Sequence, residues 1–155
     1  MVKRHISKLL ALGLLGSAAL GWGAPQAAQK KPKDTQEYEL INSVYKETDP
    51  NKRLATLDQW KQKYAETEFK EERLKYFMET YAQLGQLPKA IESAREVLGI
   101  AANDFGAHFT LARLAPYAGS ADAALLADAE KSANSLLKAD KPAHVPAAQW
   151  PEVKK

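Results

Sequence analysis

The chain has 155 residues, no Cys, 45% apolar and 26% charged residues, and a formal net charge of +3. That composition excludes a disulfide scaffold, a thiolate metal site and a disordered low-complexity chain, and it fits one ordinary domain. The positive charge says little about partners, because it is concentrated at the N-terminus.

Residues 1–28 have the layout of a secretory signal peptide. Lys3, Arg4 and Lys8 form a basic start, Leu9 to Trp22 run without a charge, and small residues with Pro25 follow. Cleavage is expected after Gly23 or Ala28. The apolar run is shorter than the roughly 20 residues a membrane span needs, so no stable span is expected after cleavage. An uncleaved N-terminal anchor is the alternative. The segment holds three of the 22 Lys and Arg and none of the 19 Asp and Glu, so the remainder is balanced at 19 each. A nucleic-acid partner therefore loses its electrostatic support.

Residues 29–34 are a polar, basic leader expected to be flexible. From there the apolar residues fall at helical spacing. A first helix is predicted from Thr35 to Glu47, with Tyr38, Ile41, Val44 and Tyr45 on one side. Asp49 and Pro50 open a second, to Ala65, carrying Leu54, Leu57, Trp60 and Tyr64. A third runs from Glu68 to Leu84 and stops at Gly85, a left-handed cap. Pro88 opens a fourth, to Ile100. Asn103 or Asp104 caps a fifth, ending near Tyr117, and Gly119-Ser120 separates it from a sixth over 121–139. Periodicity alone makes the domain all-α. Beyond it, residues 140–155 hold Pro142, Pro146 and Pro151 and form a Pro-rich tail, where Trp150 either packs on the last helix or stays free.

The stretch from Leu74 to Ile91 carries a more specific pattern. Taking Glu71 as the first position of a 34-residue unit, Leu74, Phe77 and Tyr81 fill the apolar positions of one helix. Gly85 falls in the turn, Ala90-Ile91 open the next helix, and Val97 helps close it. Through Tyr81, Gly85 and Ala90-Ile91 this resembles the tetratricopeptide repeat (TPR) family. The resemblance implies antiparallel helix pairs stacked as a short right-handed solenoid of about three units over 35–139. It assigns Leu74, Phe77, Tyr81, Gly85, Ala90 and Val97 to packing between the helices. Met78, Ala94 and Ala102 depart from the family pattern, with the large Met78 expected to fill the volume that Ala94 leaves.

The resemblance also implies a concave groove lined by the first helix of each unit: Lys75, Tyr76, Glu79 and Gln83, then Phe109, Thr110, Arg113 and Tyr117. Exposed aromatic and Arg side chains suit recognition of a protein or peptide. Glu79 stands where the carboxylate-gripping members of the family have Asn, so recognition of a peptide C-terminus is not expected. The remaining aromatics, Tyr38, Tyr45, Trp60, Tyr64, Phe77 and Tyr81, are read as core.

Nothing nominates an enzyme. His108 and His144 lie apart, no serine sits in a GxSxG context, and Glu66, Glu68, Glu71 and Glu72 suit a helix start electrostatically. No catalytic residue, metal site or cofactor is expected. The sequence thus predicts an exported, bacterial-type, non-enzymatic adaptor or scaffold, periplasmic or secreted. The alternatives are an accessory subunit packed permanently in a larger envelope complex, and a small helical hydrolase or ligand carrier.

Overall fold

The computed structural model describes residues 30–118, 122–141 and 146–150; the expected signal peptide over 1–28 and the expected break at Gly119-Ser120 lie outside them. The described residues form six helices and no strand. They are α1 (Thr35–Lys46), α2 (Pro50–Lys63), α3 (Lys70–Gln83), α4 (Leu87–Ile100), α5 (Phe105–Ala118) and α6 (Ala123–Lys138).

The helix ends follow from local chemistry. Asp34 caps α1 by accepting from the Glu37 amide at 2.8 Å, and Asp49 caps α2 from Asn51 and Lys52. Of the two candidates before α5, Asp104 makes the bond, to the Ala107 amide at 2.8 Å. Asp122, which the sequence reading passed over, caps α6. The end of α3 is a Schellman turn: the Gln86 amide donates to the Tyr81 carbonyl and the Gly85 amide to that of Ala82. That geometry requires the positive φ of 69° found at Gly85.

Consecutive helices pack on each other, and α3 also touches α5. The Arg95 guanidinium of α4 pairs with Asp128 of α6 at 2.7 Å. The core has two parts. Val44, Leu57, Trp60, Tyr64 and Phe77 join α1, α2 and α3. A larger cluster, including Leu74, Met78, Ala90, Ala94, Val97, Leu111 and Leu125, joins α3 to α6. Its small residues let helix axes approach, and each fully buried Leu or Val contributes about 1.5–3 kcal/mol. Met78 and Ala94 lie in one cluster, both almost wholly buried. Tyr81 packs against both parts and stacks on Phe77 at 5.6 Å.

Three placements differ from the sequence reading. Tyr38 and Tyr45 are not core; they are 57% and 73% exposed. The inward side of α1 is set by Glu37 and Val44, and one residue further round the helix turns each tyrosine outward. Thr110 is buried and offers nothing to a groove. It lies one position beyond the stripe of α5 that reaches the surface. The leader is also tied down from Lys30 onward: Lys30 pairs with Glu72 at 2.6 Å and the Lys31 amide donates to Glu68 at 2.9 Å.

A buried polar network lies beside the apolar cluster of the first three helices. Glu37, wholly buried, accepts from Trp60 Nε1 at 3.0 Å, Thr67 Oγ1 at 2.5 Å and the Lys33 amide at 2.7 Å. Burial pushes its pKa up, but these three donors outweigh it and hold the carboxyl below its ordinary value. Arg73, nearly as buried, donates to the Tyr64 and Ala65 carbonyls at the end of α2 and lies 5.5 Å over the Trp60 ring. A cation there also suits the negative end of the helix. Tyr64 donates to Asp34 at 2.7 Å, and burial together with that bond pushes its phenol up to about 12.

Candidate binding face

The predicted groove residues divide into two groups. On α3, Lys75 lies 2.7 Å from both Glu71 and Asp104, so its charge is already used within the chain and fastens α3 to the start of α5. Burial alone would lower its pKa, yet Asp104 and Glu71 raise it. Tyr76 is half-buried against the smaller core cluster, with Glu79, Tyr45 and Arg53 close enough to act on it electrostatically. Glu79 reaches the surface at a point crowded enough to cost it hydration. Its pKa is raised by that loss and by Asp104, against the pull of Arg53 and Lys75. Gln83 is exposed and accepts from the Arg53 guanidinium at 3.4 Å. Arg53 itself is anchored on the Glu47 carbonyl at 2.7 Å, so α2 contributes a cation to this face that the repeat register did not include.

On α5 the arrangement is aromatic. Phe109 is 39% exposed, and the Arg113 guanidinium lies 5.3 Å over its ring. Phe105 stacks on Phe109 at 6.3 Å, and Trp150 of the C-terminal segment tilts against Phe105 at 5.8 Å. Tyr117 is 80% exposed. Residues 105, 109, 113 and 117 are spaced by four, so they form one stripe winding slowly round the helix. Phe105 was missed, although that spacing was present in the sequence. Trp150 meets α5 there.

Exposed aromatics are segregated. Tyr38 and Tyr45 belong to α1, half-buried Tyr76 to α3, and Phe109 and Tyr117 to α5. The exposed large apolar residues of α4 and α6 are aliphatic: Ile100, Leu126 and Leu137. Leu74, Ala90 and Val97 lie in the larger core cluster, Phe77 in the smaller, and Gly85 in the turn after α3.

One polar pair invites a chemical reading. His108 Nε2 lies 3.0 Å from the Ala102 carbonyl and its Nδ1 lies 3.2 Å from Ser132 Oγ. A carbonyl only accepts, so in the neutral ring Nε2 carries the proton and Nδ1 accepts from the serine. Ser132 is 2% exposed, so a substrate has no path to it. The pair ties α5, α6 and the loop before α5 together. A neighbouring cleft of about 580 Å³ is lined by Phe105, His108, Ser135, Leu136 and Lys138. Ser135 there donates to the Lys131 carbonyl at 3.0 Å. Among the described residues no three His, Asp or Glu converge to hold a metal, and no helix is long and apolar enough to cross a membrane.

No family model, no curated protein and no solved structure matches the chain. The functional reading therefore stands on this geometry.

Proposed function

We propose that this protein is a non-enzymatic interaction module of the tetratricopeptide type, exported to the cell envelope, which binds a protein or peptide partner on the face formed by its first helices. The carrying observation is the segregation of exposed aromatics to α1, α3 and α5, with α3 lying against α5. Monomeric surfaces carry isolated apolar residues anywhere, but an aromatic set confined to alternate helices, with Arg113 over Phe109 and Arg53 near Tyr76, has the composition of a binding face. The contact of α3 with α5 on one side, and the Arg95–Asp128 pair joining α4 to α6 on the other, support a stack of helix pairs. Balanced charge outside the signal segment fits a partner recognised by shape and aromatic anchoring more than by long-range attraction.

The test is recovery of partners from envelope extract by wild type and by a Tyr76→Ala/Arg113→Ala double variant, after both are shown to fold equally. Losing an anchor costs about 2 kcal/mol or more, roughly thirtyfold in affinity. Equal recovery would remove the aromatic face as the site. A second reading then leads, in which Ile100, Leu126 and Leu137 on α4 and α6 pack permanently onto a larger assembly.

A further inference from the structure

The aromatic stripe of α5 already has an occupant, and that occupant belongs to the chain itself. Residues 146–150 form a turn in which the Gln149 amide donates to the Pro146 carbonyl at 3.0 Å. The turn places the Trp150 ring on Phe105, at one end of a continuous series of Trp150, Phe105, Phe109 and Arg113 with ring and cation spacings of 5.8, 6.3 and 5.3 Å. Phe105 is half-buried, so the indole closes over a ring that the helix alone leaves partly open to water. The segment is short and Pro-bearing, which lowers the entropy lost when it is held against a surface.

We infer that the Phe105–Phe109–Arg113 stripe is a receptor for a tryptophan carried on a short, Pro-flanked peptide, and that Trp150 occupies its Phe105 end in cis. The inference rests on reading α5 as part of the binding face, and it names the chemistry of what that face takes. A tethered segment competes at an effective concentration in the millimolar range. A free peptide at micromolar concentration therefore meets a stripe that is mostly filled, and a partner bearing the same chemistry engages it by displacing Trp150.

The experiment titrates the whole chain and its Trp150→Ala variant with a fluorescein-labelled peptide of residues 146–155, read by polarisation. The variant should bind the peptide at least tenfold more tightly than wild type. Adding Phe105→Ala to that variant should abolish the gain. A peptide with Ala at the Trp150 position should fail to bind the variant, whose helix content by circular dichroism should equal that of wild type. Equal affinity of wild type and variant, absence of binding to both, or undiminished binding of the Ala peptide would each overturn the inference. A wild-type dimer that Trp150→Ala converts to monomer would overturn the cis assignment and give the stripe to the tail of a second copy. If the peptide results fail while Tyr76→Ala/Arg113→Ala still loses its partners, the binding-face reading stands and only the tryptophan receptor falls.

Discussion

Trp60 Nε1 lies 3.0 Å from Glu37 Oε1, and this bond between two wholly buried side chains fixes α1 on α2. An indole that packs under Leu57 and Phe77 has one polar atom to satisfy, and a carboxylate from α1 satisfies it. The arrangement makes α1 sensitive to acid. Asp34 and Glu37 are both held below the ordinary carboxylate range in the folded chain, so the unfolded chain binds more protons as the pH falls. The stability they contribute is present above that range and is lost as pH falls through their folded values. Acid titration followed by Trp60 fluorescence should show α1 loosening before the global transition. Glu37→Gln should remove that early phase and cost about 1.5–3 kcal/mol at neutral pH. An acid profile identical in wild type and variant would rule out this role.

Ala90 on α4 is wholly buried in the larger core cluster. Ala90→Leu forces extra volume into a closed contact and should cost about 1–3 kcal/mol. Ala55→Leu, on the exposed side of α2, should stay within about 0.5 kcal/mol. Ala82 is not a suitable control, since it packs partly against the larger cluster. Denaturation midpoints compare the two, and equal midpoints would mean that Ala90 is not a close-packing position.

At Gly85 an added Cβ would meet no atom within 4 Å, so only the backbone resists substitution. Gly85→Ala should cost about 1–2 kcal/mol through its left-handed φ, and Gly85→Asn clearly less. Thermal unfolding measures both. An Ala variant as stable as the Asn variant would show that the turn relaxes to another geometry.

The helices were legible because periodicity, Pro50, Pro88, Gly85 and the acidic caps all act locally, within four residues of what they determine. The face of α1 was not legible. Tyr38 and Tyr45 carry more apolar surface than Glu37, and the sequence does not show that Trp60 and Thr67 wait, more than twenty residues away, to pair with a carboxylate. The same limit hid Arg53 from the α3 face and Trp150 from α5, because both contacts depend on how distant segments meet. Thr110 was misplaced for a smaller reason: one residue is 100° round a helix, and the repeat register was uncertain by about that much at α5.

The export expectation has its own test. Protein recovered from the cell envelope should lack its first 23 to 28 residues by intact mass, because the apolar run from Leu9 is short and small residues follow it. A full-length species retained in membrane would instead favour the uncleaved anchor.

The central claim is that partners meet the face of the first helices. The most direct measurement places a photoreactive phenylalanine analogue at Tyr117 on α5, and separately at Glu92 on α4 and Lys131 on α6, all exposed positions. The account predicts a discrete cross-linked partner in intact cells from position 117 and none from 92 or 131. A partner captured from 92 or 131 but not from 117 would contradict it and put the working surface on the second helices.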